Sequence, residues 1–330
     1  MNHFLSLRDF SREQIQALVD LGRELKANPH GDRLHKRVIG LLFMNPSLRT
    51  LASFQAAVGQ QGGTSVVIQP GAGSWTLEFH DGAVMDGAAV EHVREAIPVL
   101  AAYCDVLGIR SFADQTYIAT DLADQRMRHL AALSPKPVIN MESASDHPCQ
   151  ALADWMTLDE LQVPANGKFV LSWAWHPKPL PYAVPRAALN MAALRGMDIT
   201  VLCPEGYDLP EAMMTEAGAH IRTSHDRADA MDGAQVLYCK SWCSPEFYGQ
   251  PEAELAKRAD LRDWCVRESW FATADPQAKF MHCLPVRRNV KVADEVLDGP
   301  RSVVIQQAEN RLHAQKSVLI SQLENLTPWN

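Results

Sequence analysis

Short apolar runs alternate with amphipathic helical segments along this chain, in two successive rounds. The apolar runs are 38–44, 64–69, 106–109 and 138–140, then 169–173, 199–202, 220–222, 236–238, 280–282 and 302–305. Strands separated by helices form parallel sheets, because each helix carries the chain back across a face of the sheet. The pattern predicts an α/β protein of two doubly wound domains, each a parallel sheet flanked by helices, joined by two interdomain helices. We expect one domain at 1–147 plus a C-terminal helix at 308–330, and the other at 148–307.

Length and composition narrow the class of protein. A chain of 330 residues is long enough for two domains, and 47% hydrophobic with 21% charged residues is typical of a globular protein. The net charge of −8 without a basic block argues against a nucleic-acid partner. No apolar run reaches the roughly 18 residues of a membrane span, and no secretory signal is visible. The seven cysteines form no C-x-x-C pair, so we expect reduced thiols, a cytoplasmic location and no metal site.

The turn after the first strand carries Asn45-Pro46-Ser47-Leu48-Arg49-Thr50, and a helix is predicted from Leu51 onward. Free backbone N–H groups at the start of a helix favour an anion, and hydroxyls with a guanidinium suit a phosphate. An ordinary loop with Ser47 as helix cap and Arg49 at the surface fits the hexapeptide equally well.

Other polar groups also follow predicted strands, where a doubly wound sheet binds its ligands. They are Arg110, Glu142 with His147 and Gln150, His176 with Lys178, Lys240, and His282-Cys283-Leu284-Pro285. Singly, each has a structural alternative: a surface ion pair for Arg110, a helix cap for His147, a buried apolar thiol for Cys283. Their shared placement in both halves favours a site.

The chain has no dinucleotide fingerprint, no Walker lysine motif and no nucleophile elbow, so we expect no cofactor. Cationic and neutral donors such as Arg49, Arg110, His147 and Gln150 suit an anionic carbonyl substrate whose leaving group is phosphate. Catalysis would then consist of positioning and charge stabilisation.

These residues resemble the aspartate/ornithine carbamoyltransferase family, and the resemblance covers nearly the whole chain. Ser47-Leu48-Arg49-Thr50-Leu51 is similar to the family's phosphate motif Ser-Thr-Arg-Thr-Arg, and His147–Gln150 matches His-Pro-x-Gln. His282–Pro285 matches His-Cys-Leu-Pro. Leu51 departs from the pattern, which places a second Arg there; either phosphate affinity is lower or another cation substitutes.

The resemblance implies site residues by position. The implied carbamoyl phosphate ligands are Ser47, Leu48, Arg49, Thr50, Trp75, Arg110, His147, Gln150, Cys283, Leu284 and Arg311. The implied acylornithine ligands are Val90, Glu142, His176, Lys178, Lys240, Cys283, Leu284, Arg287 and Lys291. The implied catalytic groups are Arg49, Arg110, His147, Gln150 and Cys283. The first domain would bind carbamoyl phosphate and the second the acylornithine.

Two segments resemble the branch of the family that acts on N-acylated ornithines. They are Trp173–Leu180 and Lys240-Ser241-Trp242-Cys243, the latter replacing the Asp-x-x-x-Ser-Met-Gly of ordinary ornithine enzymes. Acylation removes the α-ammonium charge that an Asp would pair with. The branch implies arginine biosynthesis and a homotrimer in which Trp75 reaches a neighbouring site; local packing is the alternative for Trp75.

The acyl group depends on the segment around Val90. The resemblance implies Glu at this position in acetyl-specific enzymes and Pro in succinyl-specific ones, and a Glu would repel a succinyl carboxylate. Lys291 favours the acetyl alternative, because acetyl enzymes carry a carboxylatable Lys there. We predict carbamoyl transfer to N-succinyl-L-ornithine, with N-acetyl-L-ornithine as the alternative. A non-catalytic anion-binding paralogue is the alternative of another class.

Overall fold

The computed structural model describes residues 3–218 and 220–329. The chain folds into two compact units. The first unit comprises Met1–Phe112, Ala123–Cys149 and Arg311–Asn330, and the second comprises Ala113–Leu122 and Gln150–Asn310. The predicted division places 113–122 with the first domain, whereas this segment packs with the second unit. The domain boundaries otherwise stay a prediction.

The secondary structure alternates as the apolar pattern indicates. The strands are β1 (Val38–Phe43), β2 (Thr64–Ile68), β3 (Leu77–Glu78), β4 (Glu91–His92), β5 (Val106–Arg110), β6 (Val138–Glu142), β7 (Lys168–Trp173), β8 (Asp198–Leu202), β9 (Ile221–Ser224), β10 (Val236–Lys240) and β11 (Lys279–Met281). The helices are α1 (Arg12–Ala27), α2 (Leu48–Gln60), α3 (Val93–Ala102), α4 (Ile118–Leu122), α5 (Gln125–Leu133), α6 (Pro148–Glu160), α7 (Ala183–Arg195), α8 (Glu211–Ala217), α9 (Arg227–Met231), α10 (Pro251–Arg258), α11 (Asp294–Leu297) and α12 (Val304–Leu323).

The first unit is built on a parallel sheet with strand order β2-β1-β5-β6. Its central strands β1 and β5 are almost wholly buried, as expected for a sheet covered by helices on both faces. Ile97 of α3 and Leu130 of α5 pack with Leu107 of β5 in a continuous apolar core. This unit confirms the predicted doubly wound arrangement for the first half of the chain.

The second unit contains a five-stranded parallel sheet with the order β11-β10-β7-β8-β9. The strand order reverses at β7, which is the topology at which ligands bind beyond the carboxyl ends of strands. The buried runs Phe169–Trp173 and Val236–Cys239 supply its centre. The boundaries between the two units fall within helix α6 and within helix α12.

Three local predictions were wrong. The β-branched run at 302–305 is not a strand, because only Ser302 forms a bridge, to Phe280, and α12 already begins at Val304. Because α12 includes Val304 and Ile305, the last helix starts four residues before the predicted residue 308. The predicted helix at 119–132 is two helices, separated where Asp124 adopts φ +53°. None of the described helices is long and apolar enough to cross a membrane.

Candidate active site

The turn after β1 is a capped helix start. Ser47 is the N-cap of α2 and its Oγ accepts the Thr50 backbone N–H at 3.3 Å. The helix begins at Leu48, three residues before the predicted start, because this cap brings 48–50 into its first turn. Leu48 is 82% exposed and lies in the first turn of the helix. Ser47 therefore does serve as a cap, and the first turn still presents N–H groups that an anion can use.

Arg311 of α12 lies against the same turn. Its Nη2 donates to Thr50 Oγ1 at 2.8 Å, and both side chains are buried. A guanidinium beside a helix N-terminus adds a full positive charge to the partial charge of the helix dipole. Leu51 is only partly buried and brings no charge to this turn.

Arg110, Glu142 and His147 meet at the ends of β5 and β6 in the first unit. Arg110 is 7% exposed, donates through Nη1 to Glu142 Oε2, and places its guanidinium carbon 4.4 Å from the Phe112 ring centroid. His147 Nε2 is 3.6 Å from the same Glu142 oxygen. Arg110 is thus a buried ion-pair partner, and the surface alternative is wrong.

The backbone around this cluster is irregular. Glu142 has a φ of +150°, and the β5–β6 register shifts between Ile109 and Arg110. Backbone strain of this kind persists where surrounding contacts hold it, and it is common at functional sites. Asn45 Oδ1 accepts the Phe112 N–H at 2.8 Å, which ties the Ser47 turn to the segment that follows Arg110.

Cationic side chains gather at the strand ends of the second unit. Lys240 Nζ donates to Cys283 Sγ at 3.4 Å, and Lys291 is 1% exposed. Burial, reinforced by the Lys240 charge, lowers the pKa of Lys291 to about 7. Lys178 is exposed, and the hydrogen bonds it makes near this cluster come from its backbone.

His176 belongs to the same cluster as a neutral ring. Burial lowers its pKa to about 4, and the charges of Lys291, Arg287 and Lys240 add to the effect. Arg287 Nε donates to His176 Nε2 at 3.3 Å, and because arginine stays protonated, that ring nitrogen must accept. On the other side of the ring, His176 Nδ1 lies 2.9 Å from Lys178 O and 3.1 Å from the Lys178 backbone N.

The predicted motif residues Gln150 and His282–Leu284 also lie in the second unit. Gln150 is buried in the first turn of α6 and donates through Nε2 to Asp154. Its Oε1 has no hydrogen-bond partner among the described residues. Leu284 has a φ of +56°, and its N–H donates to His282 Nδ1 at 2.9 Å. Sequence reasoning missed Asp154, although its position one turn after Gln150 on a predicted helix was a usable signal.

Trp75 and Val90 lie on the segments flanking the small β3–β4 pair of the first unit. Trp75 is 57% exposed, and its indole N–H donates to Glu91 Oε2 at 2.6 Å. Val90 is 64% exposed beside that glutamate. The reach of Trp75 into a neighbouring subunit stays a prediction.

One group of possible metal ligands in the described part of the second unit is Cys203, Asp208 and His225, whose ligand atoms lie within 4.8 Å of one another. His225 Nδ1 is 2.9 Å from the carbonyl oxygen of Cys203, and His225 Nε2 is 3.5 Å from Asp208. Burial and the Asp208 charge raise the pKa of the Cys203 thiol. His225 thus contacts both Cys203 and Asp208 at the end of β8.

Comparisons with known proteins agree with this geometry. Residues 2–160 match the carbamoyl phosphate-binding domain of aspartate/ornithine carbamoyltransferase, and residues 183–322 match its Asp/Orn-binding domain. The N-acetylornithine carbamoyltransferase of Xanthomonas axonopodis pv. citri (strain 306) is 42% identical over 330 residues, covering 97% of this chain and 96% of that protein. The N-succinylornithine carbamoyltransferase of Bacteroides fragilis (strain 638R) is 37% identical over 286 residues, covering 87% of each.

A similar solved structure is an N-acetyl-L-ornithine transcarbamylase with a glutamate replaced by valine, complexed with carbamyl phosphate and N-succinyl-L-norvaline. It is 41% identical, with a TM-score of 0.93, and the match covers 98% of this chain and 100% of that chain. The two domain matches and the named relatives thus define the protein as a carbamoyltransferase. The chain belongs to the aspartate/ornithine carbamoyltransferase family. Its relatives place it in the branch that uses N-acylated ornithines.

Proposed function

We propose that the protein transfers the carbamoyl group of carbamoyl phosphate to the δ-amine of N-succinyl-L-ornithine, giving N-succinyl-L-citrulline and phosphate. The observation that carries the succinyl assignment is Val90, an exposed and uncharged residue where the acetyl-specific relatives are expected to carry Glu. The neighbour in which a valine replaces a glutamate was solved with N-succinyl-L-norvaline, and this supports the proposal.

In the first unit, the turn around Ser47 and Thr50 binds the phosphate, with Leu48 contributing its backbone. Arg49 and Arg311 balance the phosphate charge, which is the usual role of guanidinium groups at such turns. Arg110 and His147 polarise the carbamoyl carbonyl and stabilise the oxyanion that forms on attack. Glu142 holds both groups in place, as its contacts with Arg110 and His147 indicate.

In the second unit, Gln150, Cys283 and Leu284 bind the carbamoyl group, and the cationic cluster binds the acylornithine carboxylates. N-succinyl-L-ornithine carries two carboxylates, and Lys240, Lys291 and Arg287 supply matching donors. The δ-amine attacks as the neutral form, although its ordinary pKa is about 10.4, like that of lysine. Nearby cations and desolvation lower that pKa, as they do for Lys291.

N-acetyl-L-ornithine is the second candidate substrate. The 42% identity to an N-acetylornithine carbamoyltransferase favours it, as does Lys291. A lysine with a pKa of about 7 is substantially neutral at physiological pH, which is the form that carbon dioxide carboxylates. The homotrimer, the cytoplasmic location and the place in arginine biosynthesis remain predictions.

The deciding assay measures citrulline formation from carbamoyl phosphate with N-succinyl-, N-acetyl- and unmodified L-ornithine. We expect the highest kcat/KM with the succinyl substrate. No turnover with any of these amines, together with measurable carbamoyl phosphate binding, would favour the non-catalytic paralogue. A wild-type preference for the acetyl substrate would overturn the assignment based on Val90.

Val90→Glu tests the charge argument directly. A carboxylate about 5 Å from the succinyl carboxylate costs about 3 kcal/mol at an effective dielectric constant of 20, or about 10²-fold in kcat/KM. Val90→Gln is the matched control, because it has the same shape as Glu without the charge. An equal loss of succinyl turnover in both variants would show that size, and not charge, sets the preference.

A further inference from the structure

Asp154 is a fully buried carboxylate on α6, one helical turn after Gln150 in the second unit. Its Oδ1 accepts the Gln150 Nε2–H at 2.8 Å and the Gln307 Nε2–H at 2.7 Å. The buried Tyr238 hydroxyl is close by, since the Asp154 charge adds to burial in raising the pKa of Tyr238. Asp154 is thus in contact with one predicted site residue and with a glutamine that sequence reasoning did not select.

Gln307 extends the contact to the loop after β11. Its Oε1 accepts the His282 backbone N–H at 2.9 Å. His282 Nδ1 in turn accepts the Leu284 N–H at 2.9 Å, across Cys283. A hydrogen-bonded path therefore runs from Asp154 through Gln307 to the three residues of the loop.

Because an ionised carboxylate can only accept hydrogen bonds, Asp154 determines which atom of each glutamine side chain donates to it. A carboxamide can bind in two orientations of almost the same shape, but an ionised carboxylate only accepts hydrogen bonds. Asp154 therefore selects the orientation in which each glutamine turns its nitrogen inward. Gln307 Oε1 is then turned to the His282 N–H, and Gln150 Oε1 is left as an acceptor for a ligand.

We propose that Asp154 is a positioning residue for carbamoyl transfer: its carboxylate sets the orientation of the Gln150 carboxamide and, through Gln307, the position of the Cys283–Leu284 loop. This inference rests on the proposed function, which assigns these groups to the carbamoyl ligand. Burying a carboxylate is costly, and an apolar residue of similar size packs a core at lower cost. A purely structural role would therefore leave the kinetics unaffected when the carboxylate is replaced by an apolar group.

The test compares Asp154→Leu with Asp154→Asn. Leucine has no acceptor, so both glutamines lose their orienting partner, and we expect kcat/KM to fall about 10²-fold, as for small misplacements of reacting groups. Asparagine keeps an acceptor oxygen, and we expect it to restore activity to within about tenfold of wild type. Asp159→Asn is the matched control, since Asp159 is on the same helix and pairs with Arg195 at 2.9 Å instead of with the loop. It should lower the Tm without changing kcat or KM.

Equal activity of Asp154→Leu and wild type overturns the inference and leaves the proposed function intact. A loss of the same size in the Leu and Asn variants, matched by equal falls in Tm, also overturns it. If wild type turns over no acylornithine, the proposed function fails. The role of Asp154 is then tested separately by calorimetric binding of carbamoyl phosphate. Weaker binding by the Leu variant supports the positioning role, and unchanged binding refutes that role. If Asp154→Leu does not fold, Gln307→Leu replaces it, and unchanged kcat/KM in that variant refutes the loop contact.

Discussion

The lowered pKa of the buried Lys291 amine predicts how the stability of the protein depends on pH. The amine is buried in the second unit beside Lys240, and these surroundings lower its pKa from 10.5 to about 7. In the unfolded chain the same amine keeps its ordinary pKa. Between these two values the unfolded chain binds more protons than the folded protein, so Lys291 makes the stability of the wild type rise as pH increases.

The size of the effect follows from the two pKa values. Linkage gives a destabilisation by Lys291 of about 5 kcal/mol at pH 6, about 4 kcal/mol at pH 7 and about 2 kcal/mol at pH 9. Methionine has a similar shape and no charge, so Lys291→Met should remove this cost. We therefore expect the variant to be more stable than wild type at pH 7 and to bind the acylornithine more weakly.

The assay is urea unfolding of both proteins at pH 6, 7 and 9 in buffer free of carbon dioxide, which keeps the amine unmodified. Lys257→Met, an exposed change in α10, is the control and should stay within about 0.5 kcal/mol of wild type. A difference between Lys291→Met and wild type that is constant over this pH range would refute the reasoning, as would a less stable variant at pH 6. Either result would mean that the folded protein stabilises the charged amine.

Two further predictions concern the first unit. Glu142→Ala removes the carboxylate that pairs with the buried Arg110 guanidinium and lies beside His147. We therefore expect a loss of about 3–5 kcal/mol in the free energy of unfolding, measured by urea titration. A loss below about 1 kcal/mol would contradict the buried pairing. Ser47→Ala removes the cap on the Thr50 N–H and a proposed phosphate ligand, so we expect a loss of about 1 kcal/mol and a higher KM for carbamoyl phosphate. In that variant, an unchanged KM with reduced stability would assign Ser47 to capping alone.

Much of the architecture could be predicted from local patterns. Buried strands such as 38–43 and 236–240 are continuous apolar runs bounded by polar turns, and the helices between them carry one apolar face. The run at 302–305 shows the limit of this reasoning. Its β-branched residues suit a strand, but the Gln307 N–H finds its acceptor at Val303 O, and the segment becomes the start of a helix. Helical i→i+4 hydrogen bonding thus outweighs the strand propensity of the β-branched residues at this position.

Some residues of the candidate site could be predicted from local patterns, and others could not. Ser47, Arg110, His147 and Cys283 could be selected as candidates because each lies at or after the end of an apolar strand, and the parallel strands of each sheet direct their carboxyl ends to one edge of that sheet. Asp154 was missed: its spacing of one helical turn from Gln150 indicates a contact, but its link to the loop after β11 depends on Gln307, which is distant in sequence.

The sequence by itself determined the α/β class, the positions of the strand-end turns and the identity of the chemical groups on them, since all three follow from the order of apolar and polar residues. Only the tertiary structure decided the protonation and orientation of those groups. The low pKa values of Lys291 and His176 depend on burial and on charges distant in sequence. The contact between Asp154 and the Cys283 loop passes through Gln307, 153 residues further along the chain than Asp154. Electrostatic and hydrogen-bonding environments of this kind form only when distant segments pack together.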